Sequence, residues 1–417
     1  SPARLPFTTL DASRYNQTVH DASRGIETAL AKLKPLRAES ADAKLAFISQ
    51  LFINKPYLKV GAMGEGDWQA SSSTYQPGAL HLNQYPVYRL DGFDCQTLVQ
   101  VTMALFYSTT LAEFQTQLIN IAYGAAGNPQ GERVRYFNRN HFADGDFNPI
   151  NEQQGYLKDA TAAGELAAFT ETTTAKITRN RWLTKQRQQL AQHVTVLKAQ
   201  DGPSMVSRFV TTYATLPFPQ FKKEIVTTTY LPKTVLFHFD GLHYAPNEAL
   251  FAAIKTPAII EIVRDAKRWS KDGMRVKSLI GSETSISHLG FAFRQTFKKG
   301  DLITERIQCE ADFDGPTCRV IPRYCEKLQC DELMFTHATD AYPDDYVFYK
   351  TGKHYVCQKT LPNPGTPYTF CNRVVSVPLA DYLLDYQYGH YWYLNMPSLL
   401  GIHIEALRPS FNLRTLS

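Results

Sequence analysis

Residues 95–106 read Cys-Gln-Thr-Leu-Val-Gln-Val-Thr-Met-Ala-Leu-Phe, and this stretch decides the fold prediction. It is apolar almost all round, which is typical of a helix buried in the middle of a domain. Asp94 and Cys95 open the helix, and the amino terminus of a helix stabilises a thiolate through unpaired backbone N–H groups and the helix dipole. Cys95 is therefore either a reactive thiol or, in the alternative interpretation, a small buried apolar residue.

The other six cysteines lie far from Cys95, all between Cys309 and Cys371. Clustered cysteines in a loop-rich segment fit disulfides formed in an oxidising compartment, such as a periplasm or the extracellular space. A zinc site is the alternative for the first four, but no Cys-x-x-Cys knuckle occurs among them. Six cysteines allow fifteen connectivities, and the sequence does not decide among them. Our hypothesis is pairing between sequence neighbours: Cys309 with Cys318, Cys325 with Cys330, and Cys357 with Cys371.

Apolar periodicity predicts helices in the first half of the chain. Helical spacing over residues 22–52, broken near Pro35, indicates two helices, and a further helix is predicted over 111–122. Residues 57–91 and 133–150 have the composition of loops. Residues 175–200 have the pattern of a long basic helix, whose charges are typical of a solvated face.

The second half of the chain has the pattern of a sheet. Apolar strands are predicted over residues 234–239, 258–263, 288–294, 333–338 and 402–407, and a helix over 379–386. Helices followed by strands indicate an α+β fold, in which a helical first half packs on an antiparallel sheet.

Length and charge exclude little. The 417 residues allow one enlarged domain or two. The 44 basic and 39 acidic residues are spread along the chain, so the net charge of +5 favours an anionic partner only weakly, and no motif supports nucleic-acid binding. No stretch approaches the ~20 apolar residues of a membrane span. The chain begins at Ser1 without a basic and apolar leader, so we expect that any signal peptide has been removed.

Two of the eleven histidines are candidate partners for a reactive thiol. A nucleophilic thiol needs an imidazole to take its proton and pass it to the leaving group. His288 opens an apolar strand, and the nearby Gly290 allows close approach of another backbone. His337 also lies on an apolar strand and is followed by the small Ala338. A strand histidine is more often a hydrogen-bonded core residue, but two such strands and a helix-opening cysteine together favour a site.

The order of these motifs resembles a known superfamily. Phe93-Asp94-Cys95-Gln96-Thr97, then His288-Leu289-Gly290-Phe291, then His337-Ala338 resemble the NlpC-type, papain-like cysteine peptidases. Residues 55–57 (Lys-Pro-Tyr), 139–141 (Arg-Asn-His), 157–161 and 401–403 (Gly-Ile-His) make the sequence similar to one branch in particular. That branch is the AmiA-like N-acetylmuramoyl-L-alanine amidase family, first described as domain-of-unknown-function family 1460. The resemblance runs from about residue 45 to 408.

The resemblance implies roles for residues at matching positions. It implies that Cys95 is the nucleophile, His288 the general base and His337 the group that orients the imidazole. It also suggests that the Tyr57 hydroxyl helps the Cys95 backbone N–H to stabilise the oxyanion. The candidates for substrate contact or for holding a loop are Asp94, Arg139, Asn140 and His141. No metal or other cofactor is implied.

The resemblance also implies a papain-like fold of NlpC type. We expect one enlarged catalytic domain over residues 1–417, with a helical lead-in at 1–56, a helical insertion at 175–233 and a disulfide-bonded, cysteine-rich insertion at 305–332. The last of these intervenes between His288 and His337, where the family normally has a short hairpin. Either insertion can reshape specificity.

The implied reaction is hydrolysis of an amide bond in muropeptides, between the lactyl group of N-acetylmuramic acid and L-alanine. A thioester on Cys95 would form and then be released by water. Alternatives are a D-glutamyl-diaminopimelate endopeptidase, an inactive module that binds wall fragments, and a structural metalloprotein built on the cysteine cluster. We expect a periplasmic or secreted protein, and the sequence leaves its oligomeric state open.

Overall fold

Helices form most of the described residues in the first half of the chain, as predicted. The computed structural model describes residues 12–58, 62, 88–124, 139–186, 188, 221–268, 280–310, 317–343, 346–359 and 361–409. The first four long helices are α1 (Ala12–Leu33), α2 (Ala41–Phe52), α3 (Cys95–Phe106) and α4 (Leu111–Tyr123). Pro35 falls in the first turn of a 3₁₀ helix, Lys34–Ala38, that separates α1 from α2. Proline is tolerated there because the first backbone N–H groups of a helix have no partner within it.

Side-chain caps fix where three of these helices begin. Ser40 accepts a hydrogen bond from Ala43 N at the start of α2, and Thr110 caps α4. Asp94 accepts a bond from Thr97 N at 2.7 Å, and the Thr97 hydroxyl accepts one from Asp94 N at 3.0 Å. This reciprocal capping box satisfies two backbone donors. It also fixes Cys95 as the first residue of α3.

Most of the other described elements are short helices and strands. A π-helical turn (Ala143–Phe147) leads into α5 (Asn148–Gln153), and a 3₁₀ helix spans Gly164–Phe169. The other short helices are α6 (Lys233–Leu236), α7 (Glu248–Ala253) and α8 (Leu379–Leu383). The strands up to the cysteine-rich segment are β1 (Leu157–Asp159), β2 (Glu171–Ile177), β3 (Glu224–Pro232), β4 (Phe237–Phe239), β5 (Tyr244–Pro246), β6 (Ala258–Arg264) and β7 (Ile286–Lys298). The remaining strands are β8 (Leu302–Glu310), β9 (Thr317–Tyr324), β10 (Gln329–Ala338), β11 (Val347–Thr351), β12 (His354–Gln358), β13 (Tyr368–Phe370), β14 (Val374–Pro378), β15 (Tyr386–Gln387), β16 (His390–Tyr391) and β17 (Leu399–Leu407).

The main sheet has eight antiparallel strands. Its order is β14-β10-β7-β6-β17-β3-β2, with β1 also paired to β17. Strand β7 therefore lies between β10 and β6, and His288 is opposite Ile262 in the register of β7 with β6. The predicted α+β class with an antiparallel sheet is confirmed. Its assignment to the papain-like NlpC type, and the division of the chain into a domain with insertions, stay predictions.

The cysteine-rich segment forms a second sheet of five strands, in the order β13-β11-β12-β9-β8. The three expected disulfides are confirmed, and the zinc alternative for these cysteines is therefore wrong. Cys309–Cys318 joins register partners on β8 and β9, and Cys325–Cys330 bridges the turn from β9 to β10. Cys357–Cys371 ties β12 to the segment after β13.

Apolar side chains pack on both faces of the main sheet. On one face Leu289, Phe291 and Phe293 of β7 contact residues of α1 to α4. On the other face Ala292 belongs to a second cluster that includes residues of α7 and α8. The two clusters arise because successive side chains of a strand point to opposite faces. Each fully buried leucine or phenylalanine contributes about 1.5–3 kcal/mol.

Some sequence predictions were wrong. The long basic helix over 175–200 does not begin at Ala175, because β2 continues to Ile177 and pairs along its whole length with β3. Consecutive β-branched threonines in both strands favour the extended backbone. Residues 179–186 are helical, and most of the remaining segment lies outside the described residues. The predicted helical insertion, 175–233, therefore contains strand at both ends.

Other boundaries moved less. The predicted loop over 133–150 contains the π-helical turn and the start of α5 in its described part, and the predicted strand over 234–239 begins as helix α6. The predicted helix over 379–386 ends earlier, with α8. Most of the loop predicted over 57–91 lies outside the described residues. In the described part of the chain, no helix combines the length and apolar character that crossing a bilayer requires.

Candidate active site

The Cys95 thiol lies at the amino terminus of α3, against strand β7. It is half-buried and forms no disulfide. The backbone N–H groups of Leu289 and Gln96 lie near the sulfur and lower the pKa of the thiol. Leu289 directly follows His288, so the thiol contacts the backbone at the residue next to the predicted base. Both backbone donors stabilise negative charge on the sulfur.

The imidazoles of His288 and His337 form a hydrogen-bonded pair. His288 Nε2 lies 2.8 Å from His337 Nδ1, and the two rings are nearly perpendicular. One of these nitrogens must donate and the other accept. His337 in turn stacks on Phe335, with ring centroids 4.9 Å apart, and meets Tyr382 edge-on at 4.6 Å. These aromatic contacts hold His337, and through it they hold the orientation of the His288 ring.

Gly290 allows this pairing, as the sequence predicted. A Cβ atom on Gly290 would lie 2.5 Å from the backbone oxygen of Thr336 and 2.8 Å from the Cβ atom of His337. Contacts this short between non-bonded atoms are strongly repulsive, so a larger residue would push β10 away from β7. The glycine therefore brings His337 within hydrogen-bond distance of His288.

Burial keeps the reacting groups uncharged in the resting protein. It raises the pKa of the Cys95 thiol, and the carboxylates of Asp94 and Asp340 raise it further. Burial also lowers the pKa of His288, and the Arg264 guanidinium lowers it further, whereas Asp340 raises it. The pKa of His337 is lowered well below its usual value by burial and by His288. In the resting protein the Cys95 thiol and the His288 imidazole are therefore both neutral.

Sequence analysis missed Arg264, Asp340 and Tyr382 at this site. Arg264 ends β6, where its Nε donates to the Ser287 hydroxyl at 2.9 Å, beside His288. Asp340 is exposed, three residues after His337. Asp340 lies near His337 in the sequence, at the end of the predicted strand, whereas nothing in the sequence links Arg264 to His288. Tyr382 lies on α8, which the sequence places far from both histidines.

A cavity of about 510 Å³ opens beside His337. Tyr382, Tyr393 and Asp381 form one part of its wall. Thr304 and Arg306 of the disulfide-bonded sheet form another part. The cysteine-rich segment therefore shapes the space next to the histidine pair. This agrees with the prediction that the insertion at 305–332 can reshape specificity.

Most residues of this site lie in the part of the chain that matches a known sequence family. The family described as AmiA-like, N-acetylmuramoyl-L-alanine amidase-like, matches residues 48–300, which include Cys95 and His288. The chain belongs to the AmiA-like family. This membership supports a peptidoglycan amidase-like function and agrees with the resemblance found in the motifs. No curated protein matches the chain.

One solved structure agrees with the fold of this AmiA-like chain. A crystal structure of a protein from Legionella pneumophila str. Philadelphia 1, assigned to DUF1460, aligns with a TM-score of 0.56 at 23% identity, covering 94% of this chain and 96% of its own. At that identity it supports the fold alone. Two crystal structures of an N-acetylmuramoyl-L-alanine amidase from Bacteroides uniformis ATCC 8492 give a TM-score of 0.39 at 17% identity, covering 88% of this chain and 99% of theirs. A score that low supports no argument.

Tyr57 lies close to the start of α3 in this AmiA-like protein. Its backbone N–H donates to Asn372 O at 3.0 Å, and it forms a bridge with Phe93, two residues before Cys95. Asp94 acts as the cap of α3. Burial raises the pKa of Asp94, whereas its bonds from Thr97 and the charge of Arg139 lower it.

The other predicted residues of the AmiA-like motif brace the helices. Arg139 donates to Gln100 Oε1 of α3 at 2.6 Å and to the Tyr123 hydroxyl of α4 at 3.2 Å. Asn140 donates to a carbonyl of α4, and its own carbonyl accepts a bond from the Gln96 side chain. The His141 ring lies 4.5 Å from that of Trp182. These contacts favour loop holding over substrate contact for residues 139–141.

Proposed function

We propose that this AmiA-like protein is a cysteine hydrolase that cleaves the N-acetylmuramoyl-L-alanine bond of peptidoglycan fragments. One observation carries the proposal: a free thiol opens a buried helix and contacts the backbone at Leu289, while the preceding residue, His288, is hydrogen-bonded to a second histidine. Nucleophile, base and orienting group then follow in the order of the papain-like NlpC superfamily, to which we assign the fold.

The first step is attack of the Cys95 sulfur on the carbonyl carbon of the lactyl amide. Because the thiol and His288 both start neutral, His288 takes the thiol proton as the carbon–sulfur bond forms. The Cys95 backbone N–H, at the start of α3, and Tyr57 stabilise the oxyanion. His288 then gives the proton to the nitrogen of L-alanine, and the carbon–nitrogen bond breaks.

The second step releases the enzyme. Water enters, His288 takes one of its protons, and the resulting hydroxide attacks the thioester. The carboxylate of the lactyl group leaves, and the Cys95 thiolate regains its proton. His337 accepts no proton in this sequence. It holds His288 in the orientation that both steps need, as the third member of a catalytic triad does.

The disulfides support a location outside the cytoplasm. Three bonded pairs persist most readily in an oxidising compartment, where peptidoglycan fragments are also found. A periplasmic or secreted enzyme could keep Cys95 as a thiol, because the other cysteines already have partners.

Mass spectrometry of muropeptide digests tests the proposal. Anhydro and reduced muropeptides are incubated with the wild type and with Cys95→Ala, whose fold is checked by circular dichroism. Release of intact disaccharide and of a stem peptide that begins with L-alanine, by the wild type alone, is the expected result. Cleavage between D-glutamate and diaminopimelate would replace the amidase by an endopeptidase. If neither form is cleaved, a wall-fragment binding module replaces both.

A further inference from the structure

A buried polar cluster occupies one face of the main sheet, apart from the thiol and the paired histidines. It consists of Asp159 on β1, Glu261 on β6, and His403 and Glu405 on β17. His403 is opposite Glu261 in the register of β17 with β6, and Glu405 is opposite Asp159 in that of β17 with β1. Residues two apart on a strand share a face. All four side chains therefore project from the same face of three neighbouring strands.

The distances in this cluster suit ligands of one cation. His403 Nε2 lies 2.7 Å from Glu405 Oε1 and 3.8 Å from Glu261 Oε1. One ligand atom each from Asp159, His403 and Glu405 lie within 4.8 Å of one another. Two atoms that bind a metal at about 2.0–2.1 Å each lie roughly 3.0–3.4 Å apart. The two distances from His403 fall on either side of that value, so small movements would bring His403, Glu405 and Asp159 to one ion, and a larger movement would add Glu261.

The Nε2 atom of His403 faces the carboxylates, because Nδ1 is hydrogen-bonded on the other side of the ring. His403 Nδ1 lies 2.7 Å from the backbone oxygen of Thr229, which can only accept. Nδ1 therefore carries the hydrogen, and Nε2 faces two carboxylates with either a lone pair or a second proton. A histidine that donates Nδ1–H to a carbonyl while Nε2 faces acidic oxygens has the usual arrangement of a metal ligand.

Two carboxylate oxygens in the cluster accept no hydrogen bond from the residues that the structure describes, although Glu152 interacts with Glu405, and burial and Glu152 both raise the pKa of that carboxyl group. Glu261 and Glu405 are fully buried, and the Oε2 atom of each accepts no hydrogen bond from the described residues. Asp144 Oδ1, on the neighbouring π-helical turn, is likewise buried without a partner there. The ion pairs found for Glu261 and Glu405 in the described part of the chain involve His403 alone. A buried carboxylate with open lone pairs is costly unless a cation or a proton is present.

We propose that His403, Glu405, Glu261 and Asp159 bind one divalent transition-metal cation, Zn²⁺ or Mn²⁺. One imidazole with several carboxylates suits these ions, whereas Ca²⁺ and Mg²⁺ are usually held by oxygen atoms alone. Asn148 donates to Glu261 Oε1 and orients this ligand from α5. Asp159 is exposed and provides the path by which the ion enters. The ion joins β1, β6 and β17 and has a structural role that is independent of Cys95.

Metal analysis of matched variants tests this site. The wild type, Glu405→Gln and Glu261→Gln are treated with EDTA, loaded with Zn²⁺ or Mn²⁺, desalted and analysed by inductively coupled plasma mass spectrometry. We expect about one ion per wild-type chain and at least a fivefold loss in either variant. Thermal unfolding of the wild type should shift upward by several degrees on loading, because the ion binds only the folded state, and the variants should not respond. Asp385→Asn is the control, since Asp385 is a largely buried carboxyl group outside the cluster.

The alternative is that the carboxyl groups share protons instead of a metal. Glutamine closely resembles a protonated glutamic acid, so Glu405→Gln would then leave the melting temperature unchanged or raise it, and no ion would be retained by the wild type. That result overturns the proposal. Retention of the ion by both glutamine variants would also overturn it, because the metal would then be bound elsewhere. The second variant decides the matter if the first does not fold.

Discussion

Histidines lie at two places on the main sheet, a pair and a single residue, and their surroundings differ. His288 and His337 face each other across 2.8 Å, beside a cavity, among aromatic rings and with an exposed carboxylate nearby. His403 lies in a closed environment between Glu261 and Glu405. The pair of His288 and His337 is packed among aromatic rings, whereas His403 lies against two buried carboxyl groups. The same side chain is therefore suited to catalysis in one place and to cross-linking strands in the other.

The largest expected effect is a contrast between two substitutions: His288→Ala should lower activity, whereas His403→Ala should lower stability. His288→Ala should lower kcat/KM by about 10²- to 10⁴-fold, because general acid–base catalysis contributes that much. It should leave most of the stability. His403→Ala should instead destabilise the fold by about 3–5 kcal/mol, since it leaves buried carboxylates without their partner. Muropeptide turnover and urea unfolding of both variants measure this, and retained activity in His288→Ala would show that the base is elsewhere.

The second prediction concerns the close approach that creates the histidine pair. Gly290→Ala should cost about 1–3 kcal/mol through overpacking and should also lower turnover, because His337 is displaced. Gly25→Ala is the control, since its new Cβ would meet only the end of the Leu90 side chain. Urea unfolding and turnover are measured for both. If Gly290→Ala has normal stability and activity, the spacing of β7 and β10 does not limit the pair.

A smaller effect is expected from His337, which positions the base. His337→Ala should lower kcat by roughly tenfold, less than the loss of the base itself. His337→Gln should recover part of the loss, because its amide can still form a hydrogen bond with His288. If His337 had only a structural role, His337→Ala and His337→Gln would have the same kcat whenever their melting temperatures are equal. Full activity in His337→Ala would reject the assignment.

The smallest effect is a change in pH dependence. His288 acts as a base in its neutral form, so activity is lost as the pH falls through the pKa of His288. Because burial lowers that pKa, the acid limb of kcat/KM should lie below the usual histidine value of about 6.5. Asp340 raises the pKa of His288, so Asp340→Asn should move the acid limb to lower pH by a few tenths of a unit. A shift to higher pH would contradict the assignment of His288 as the base.

Local patterns predicted the elements that carry the reacting groups. The capped apolar run after Asp94 became α3, and the strand patterns at His288 and His337 became β7 and β10. The hypothesis that each disulfide joins close neighbours in the sequence is confirmed. The roles of Cys95, His288 and His337 in catalysis stay predictions that the experiments above test.

Features built from distant segments were not predictable. Arg264 and Tyr382 reach the histidine pair only through the register of β6 and the position of α8. Glu261 and His403 become neighbours only when β6 and β17 pair, and a single sequence gives no information on strand pairing. The helix predicted over 175–200 was wrong at its start. Lys176 resembled the other basic residues of that helix, but the threonines before it pair with β3 and form a strand.

The disulfide connectivity has a consequence for the way the protein is made. The three bonds close loops whose ends are only 9, 5 and 14 residues apart. When a chain crosses a membrane from its amino terminus, Cys95 emerges first, more than two hundred residues ahead of the other cysteines. If the chain is exported in this order, Cys95 emerges while no other cysteine is near, and each later cysteine then meets its own partner within a few residues. Such an order would keep the Cys95 thiol away from wrong disulfide partners.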